Sequence, residues 1–175
     1  MNPDELIHLC RECAGRIYGT RPPSARYAES VARLLAGTAA AESLLKWRRQ
    51  QPPSIFRWTS LKGAWGLWQT EHLAVGDSVK YLRRRTDVLD AAVRFAPRMA
   101  EAMLLETLPL MQLIHDDDAV AVTFARLHYL RVAEAVPDDL RGQAGYWKRY
   151  YNTRLGKGTV EGYMAKFVQY VEPAL

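Results

Sequence analysis

The chain has 175 residues, of which 49% are hydrophobic and 25% charged, with a net charge of +5 and a pI of about 9.3. This composition fits one globular domain with a sizeable core and excludes a disordered or low-complexity chain. No apolar run reaches the 18 residues of a membrane span, and the N-terminal segment lacks the cationic start and apolar run of a secretory signal. The basic charge suits acidic partners such as nucleic acid, anionic lipid or an anionic cell-wall polymer, and equally a merely basic surface.

Helical periodicity predicts an almost all-α chain. The first helix is expected over residues 3–18, and the second from an N-cap at Ser24 to about Trp47. Residues 48–63 contain a proline pair and are predicted to form a loop or a short hairpin strand without a firm partner.

The helical pattern resumes after GAWGLWQTEH. Asp77 or Ser78 is expected to cap the next helix and Thr86 the one after it, and Pro109 should kink a long apolar helix. The remaining predicted helices span 86–96, 98–114, HDDDAV to about Ala135, 138–152 and 158–172. We expect one domain, with an N-terminal helix and linker over 1–22, a core over 24–160 and a C-terminal helix over 158–175.

Cys10 and Cys13 are three residues apart and follow His8 in HLCREC. Two thiols and an imidazole would be half of a zinc site, but no second pair of ligands follows at the required spacing. Cysteine is often a small buried hydrophobe, and we therefore favour a structural role and predict no metal site.

One carboxylate stands among apolar residues of the second helix. Val31, Leu35, Thr38 and Glu42 recur at spacings of four and three and therefore share one helix face. Burying an unpaired charge is costly, so Glu42 requires either an ion pair, for which Lys46 is the candidate, or a chemical function.

The segment GAWGLWQ, residues 63–69, is a second candidate site. Gly66 allows a close approach of the backbone, Trp68 offers a flat face that suits a sugar ring, and the Gln69 amide both donates and accepts hydrogen bonds. The alternative is a glycine turn packed by tryptophan side chains.

Three segments in order, AAAES, GAWGLWQTE and YYNTRLGKGT, resemble the soluble lytic transglycosylase and goose-type lysozyme family over roughly residues 28–160. The resemblance implies a mostly α lysozyme-like domain of the transglycosylase type, with Glu42 as the catalytic acid and no cofactor. It assigns substrate binding to six residues: Ser43, Gly66, Trp68, Gln69, Tyr151 and Asn152. The sequence departs from the family pattern in having Trp68 where methionine is usual and Thr153 where alanine follows the Tyr-Asn pair.

Individual roles follow from the same resemblance. Ser43 would bond the N-acetyl or lactyl group of the substrate, and Gln69 would orient the N-acetyl group. Tyr151 would bond Glu42 and hold it in place, whereas Asn152 would bond the backbone at a turn. Trp68 would be either core or sugar platform.

The resemblance implies cleavage of the β-1,4 bond between MurNAc and GlcNAc in peptidoglycan. A carboxyl on an apolar face should have a raised pKa and stay protonated as a general acid. Residues 43–70 contain no Asp or Glu, which favours a single-carboxylate mechanism ending in a 1,6-anhydro sugar. Glu71 is the next acid; as a base it would make the protein an inverting muramidase, and otherwise it is a solvated acid at a helix start.

The segment GYWKRYYNTRLGKGTVEGY also resembles phage-encoded proteins with this domain. The implied protein is made in the host cytoplasm, acts on periplasmic or cell-wall peptidoglycan, and has phage tail or other virion proteins as candidate partners. Two alternatives stay open: a virion structural protein with this fold and little activity, and a basic helical nucleic-acid binder. YWKRYYNTR interleaves aromatic and basic residues as strand-binding surfaces do, but no DNA-reading helix pair is recognisable, so no specific nucleic acid is predicted.

Overall fold

A computed structural model describes residues 1–46, 63–153 and 156–175, in which helices predominate. The mostly α fold expected from the sequence is confirmed. Within these residues the β-structure is limited to an isolated antiparallel bridge between Trp65 and Thr70. The strand predicted in SIFRWTS lies outside the described residues.

The predicted starts of the first two helices are confirmed. Helix α1, Pro3–Arg16, begins with a capping box: the Asn2 side chain accepts from the Glu5 amide at 2.8 Å, and the Glu5 carboxylate accepts from the Asn2 amide at 3.1 Å. Helix α2, Ala25–Ser43, begins at Ser24, whose hydroxyl accepts from the Tyr27 amide. It ends four residues before the predicted end, because Leu44 has a left-handed backbone at φ 53° and ψ 26°.

The helices after residue 70 form the remainder of the domain. In chain order they are α3, His72–Arg84; α4, Thr86–Phe95; α5, Met99–Ala102; α6, Thr107–Asp116; α7, Asp118–Leu130; α8, Leu140–Trp147; the π-helix, Lys148–Asn152; and α9, Val160–Tyr170. A short 3₁₀ turn, Glu172–Ala174, follows α9.

Two predicted helix starts are wrong. Helix α3 begins at His72, well before Asp77. Ser78 lies inside this helix, where its hydroxyl donates to the Ala74 carbonyl at 2.9 Å and does not cap a helix end. Thr86 is the first residue of α4, whose cap position is Arg85.

The predicted kink at Pro109 is also wrong. The apolar stretch forms two helices, α5 and α6, and Pro109 lies in the first turn of α6. The missing N–H costs nothing there, because the first amides of a helix have no partner within it. Helix α7 likewise ends at Leu130 rather than near Ala135.

Helix α2 occupies the centre of the fold and packs against α1, α7, α8 and α9. Every residue from position 31 to 41 except Arg33 is buried, so α2 is enclosed around its circumference and not along one face only. Gly37 makes this possible on the α9 side, since a Cβ there would overlap the Tyr163 hydroxyl and lie 2.9 Å from the Phe167 ring.

The cysteines belong to the core. Cys10 and Cys13 are fully buried, and burial raises the pKa of the Cys13 thiol to about 12. Across residues 1–46, 63–153 and 156–175, no cluster of His, Cys, Asp and Glu is suited to a metal ion. In the same residues, no helix combines the length and hydropathy that crossing a bilayer requires.

The end of α2 yields a stability prediction. A left-handed backbone costs an L-residue roughly 1–2 kcal/mol but costs glycine little. Leu44→Gly should therefore be more stable than Leu44→Ala by about 1 kcal/mol in urea unfolding, since both remove the side chain and only alanine keeps the Cβ. Val168 is exposed and lies inside α9, so the order should reverse there. Val168→Ala should be more stable than Val168→Gly by about 1 kcal/mol. A Leu44→Ala variant as stable as Leu44→Gly would contradict the prediction.

Candidate active site

A cavity of about 860 Å³ opens at the C-terminal end of α2. We call it the Glu42 cleft. Its wall is formed by Ala64, residues 69–71, the start of α3, the end of α7, the π-helix and part of α9. Among the residues that the structure describes, six charged ones line it: Glu42, Glu71, Asp77, Arg131, Lys157 and Lys166.

Glu42 is the penultimate residue of α2 and is only partly buried, unlike the residues before it. Its Oε1 accepts from the Trp147 indole Nε1 at 3.0 Å and from the Asn152 amide Nδ2 at 3.4 Å. None of the described residues donates to Oε2. A proton on the Glu42 carboxyl therefore belongs on Oε2, because a proton on Oε1 would oppose the two donors already directed at it.

The π-helix brings these two donors together. In an α-helix with 3.6 residues per turn, residues five apart such as Trp147 and Asn152 point roughly 140° apart. In a π-helix the hydrogen bonds join residues five apart, so such residues lie near one line. The wider turn at Lys148–Asn152 therefore allows both side chains to reach one carboxylate oxygen.

The groups around Glu42 act on the pKa of its carboxyl in opposite directions. Burial raises the pKa of the Glu42 carboxyl above its ordinary value, and the negative charge of Glu71 raises it further. The hydrogen bonds from Trp147 and Asn152 and the positive charge of Lys166 act in the opposite direction without cancelling the effect of burial. Lys166 reaches this position from α9 by donating to the Ala41 carbonyl at 2.6 Å.

Backbone strain is concentrated around the cleft. Four non-glycine residues of the described chain have positive φ. Leu44 and Leu45 follow Glu42 closely, and Gln69 and Thr153 line the cleft itself. Thr153, at φ 62° and ψ 174°, occupies a region that normally requires glycine. Strained backbone of this kind is typical of functional sites, where the surrounding structure imposes the conformation.

Tyr151 lies in the cleft but does not bond Glu42 as expected. Its hydroxyl donates to the Trp68 carbonyl at 2.8 Å and lies 3.1 Å from the Thr70 hydroxyl, and burial raises its pKa well above the ordinary value. Asn152, expected at a backbone turn, is instead the residue that bonds Glu42. Tyr151 thus joins the π-helix to the GAWGLWQ turn.

Gln69 lines the cleft, and its amide Nε2 donates to the Gly66 carbonyl at 2.8 Å. Glu71 lies on the same wall and is exposed. Glu42 and Lys46, both within the described residues, do not form the ion pair that was the alternative to a chemical function. Glu42, Glu71, Gln69, Tyr151 and Asn152 are therefore the sequence-predicted residues that the fold brings together.

Three other predicted residues lie away from the cleft. The Ser43 side chain is buried and its hydroxyl donates to the Ala39 carbonyl at 2.9 Å. Trp68 is fully buried with its indole Nε1 donating to the Leu35 carbonyl at 2.8 Å. Gly66 has φ 73°, and a Cβ there would lie 2.9 Å from the Ile114 carbonyl oxygen. The contacts of Trp68 and Gly66 are those of the packed glycine turn considered as the alternative.

Sequence reasoning missed Trp147, Lys166 and His128. His128 lines the cleft, and burial lowers its pKa, whereas the contact of its Nε2 with the Tyr150 carbonyl at 2.6 Å acts in the opposite direction. Trp147 precedes the Tyr-Asn pair in the sequence, but its side chain points the same way as that of Asn152 only because of the π-helix. Lys166 had no sequence signal, since its proximity to Ala41 depends on the packing of α9 against α2.

The pKa of Glu42 predicts a pH-dependent stability difference. A carboxyl whose pKa is raised on folding destabilises the native state progressively as pH rises from the ordinary value of 4.5 to the folded value, and the loss persists above that. Glu42→Gln keeps the acceptor and removes the charge, so it should be more stable than wild type at pH 7. If folding lowers the acid dissociation constant of Glu42 tenfold, the gain in the free energy of unfolding should be about 1.4 kcal/mol. The difference should vanish below about pH 4.

Chemical denaturation at pH 7 and pH 3.5 measures both values. Asp90→Asn, at an exposed position on α4, is the matched control and should show no such gain. If the stability of Glu42→Gln relative to wild type were the same at both pH values, the burial of a destabilised charge would be contradicted.

Comparison with protein-family models, with curated proteins and with solved structures finds no match to this chain.

Proposed function

We propose that the protein is a peptidoglycan-cleaving lytic transglycosylase that cuts the MurNAc–GlcNAc β-1,4 bond with Glu42 as its acid and base. The observation that carries the proposal is the state of Glu42: two donors occupy Oε1, Oε2 is left without a donor among the described residues, and burial raises the pKa. A general acid for glycoside cleavage needs an oxygen at a cleft that can hold a proton and is not engaged by other donors.

The proposed reaction needs only one carboxyl group. Glu42 Oε2 gives its proton to the bridging oxygen as the bond from that oxygen to the muramyl anomeric carbon breaks. The carboxylate then takes the proton of the muramyl 6-hydroxyl, whose oxygen forms a new bond to the same carbon. The products are a 1,6-anhydro sugar and a free GlcNAc 4-hydroxyl, and no water is consumed.

A second candidate is an inverting muramidase in which Glu71 activates water. The observation that favours it is the position of Glu71, which lines the Glu42 cleft and whose charge acts on the pKa of Glu42. In that mechanism Glu42 would remain the acid, and the product would carry a reducing end.

The cellular setting is part of the same proposal. A basic chain with this activity would suit the anionic cell wall, and a phage-encoded protein made in the host cytoplasm would reach it at lysis or within the virion, with tail or other virion proteins as partners. A virion structural protein with little activity and a basic nucleic-acid binder are the competing interpretations. Both predict indifference of function to a change at Glu42.

The central test is loss of the acid. Glu42→Gln should reduce the clearing of purified peptidoglycan by at least about 10²-fold, the usual contribution of a general acid, while the far-ultraviolet circular dichroism is unchanged. Asp90→Asn should retain wild-type clearing. Clearing by Glu42→Gln at the wild-type rate would refute the proposal.

Product masses and Glu71→Gln separate the two mechanisms in the same assay. Anhydro-muropeptides, one water lighter than hydrolysis products, together with an active Glu71→Gln variant support the transglycosylase. Reducing ends, and loss of clearing in Glu71→Gln, would support the muramidase instead.

Leu73 supplies a prediction about sugar binding. It lines the cleft with 69% of its surface exposed, whereas Trp68, for which core and sugar platform were both open, is buried. Covering a leucine contributes about 1.5 kcal/mol or more, so Leu73→Ser should raise KM about tenfold with little change in kcat. Leu104, 87% exposed and outside the cleft, provides the control, and Leu104→Ser should leave KM unchanged. Equal effects of the two substitutions would exclude a specific contact at Leu73.

A further inference from the structure

Lys148 is the first residue of the π-helix and is partly buried. Its ammonium group donates to Asn152 Oδ1 at 2.9 Å and to the Gly156 carbonyl at 2.8 Å. Asn152 in turn donates from Nδ2 to Glu42 Oε1 at 3.4 Å. A continuous chain of hydrogen bonds thus runs from Lys148 through a side-chain amide to the carboxyl group of Glu42.

This chain determines which end of the Asn152 amide faces Glu42. A carboxamide has a donor end and an acceptor end of nearly equal size, and rotation by 180° exchanges them. A lysine ammonium can only donate, so the acceptor Oδ1 must face Lys148 and the donor Nδ2 must face Glu42. Without Lys148, the opposite orientation would be opposed only by the ionised Glu42 carboxylate, and a proton on Oε1 would remove that opposition.

The orientation matters because the two ends have opposite effects on Glu42. The N–H end stabilises the carboxylate and leaves the acidic proton on Oε2. The C=O end would instead favour a proton on Oε1, where the hydrogen bond to Asn152 would keep it from a substrate. The same side chain would then support or misdirect the acid according to its rotation.

We propose that Lys148 is a positioning residue for Glu42, which acts by holding the Asn152 carboxamide with its N–H end toward Oε1. The functional consequence rests on the role proposed above for Glu42, whereas the orientation itself does not. Lys148 is not a catalytic residue, since it contacts Asn152 and Gly156 and does not line the Glu42 cleft.

Other groups also face Glu42 and must be separated from Lys148. Lys166 approaches from α9, Glu71 lies at the start of α3, and the buried Tyr129 and Tyr151 come from α7 and the π-helix. The charges that shift the pKa of Glu42 are those of Lys166 and Glu71, and Lys148 is not among them. An effect of Lys148 on Glu42 should therefore pass through Asn152.

A double-mutant cycle tests this path without any substrate. The pKa of Glu42 would be measured by NMR titration of its side-chain carboxyl carbon in wild type, Lys148→Met, Asn152→Ala and the double variant. We expect Lys148→Met to raise the pKa of Glu42, because a donor to the carboxylate is lost, and to have no further effect when residue 152 is alanine. Lys148→Arg, which keeps the donors, should retain the wild-type value.

Lys166→Met is the matched lysine control. Its charge acts on Glu42 directly, so this substitution should raise the pKa of Glu42 by the same amount with asparagine or alanine at position 152. The proposal would be overturned if Lys148→Met left the pKa unchanged while Asn152→Ala raised it. It would also be overturned if Lys148→Met raised the pKa equally in both backgrounds, since that would be an effect of charge.

Two further readouts separate the proposal from its premises. If Lys148→Met does not fold, the Asn152 side-chain amide protons in wild type and Lys148→Arg should still show slowed solvent exchange, and rapid exchange in both would refute the arrangement. With peptidoglycan, Lys148→Met should lower kcat about tenfold and shift the pH profile with the pKa of Glu42. If the wild type cleaves nothing, the proposed function fails, but the titration cycle still decides the role of Lys148.

Discussion

The structure depends on the enclosure of α2 by four other helices. Small side chains, and above all Gly37, let α9 approach closely enough for Tyr163 to lie directly on the helix. A helix enclosed in this way has solvent only at its ends, so a carboxyl at its last turn is partly desolvated wherever it points. The raised pKa of Glu42 is thus a consequence of how its helix is buried.

The π-helix gives the two oxygens of the Glu42 carboxyl different hydrogen-bond partners. By bringing Trp147 and Asn152 to one oxygen, it makes the two oxygens of Glu42 chemically different, one accepting hydrogen bonds and one left for a proton. Lys166 completes the arrangement through the Ala41 carbonyl next to the acid. Three elements distant in the chain therefore act on a single carboxyl group.

The sequence predicted the start of α2 well because its signal was a local cap at Ser24, and such a cap needs only neighbouring residues. The prediction failed at Ser78, because a serine hydroxyl can either cap a helix or bond a carbonyl of the preceding turn. It failed at Pro109, because proline fits the first turn of a helix as readily as a kink. Around the cleft it identified Glu42, Gln69, Tyr151 and Asn152, but it exchanged the contacts of the last two. The register of those contacts depends on a π-helix that no spacing rule indicates.

The sequence by itself determined an almost all-α domain and an out-of-place carboxylate at Glu42, since both follow from periodicity and from the cost of burying charge. Only the tertiary structure decided that Trp68 and Ser43 belong to the core and that Trp147 and Lys166 belong to the site. The physical reason is that burial and hydrogen-bond direction depend on which helices meet. Residues 42, 147 and 166 are far apart in the chain and meet only because α2, α8 and α9 pack together.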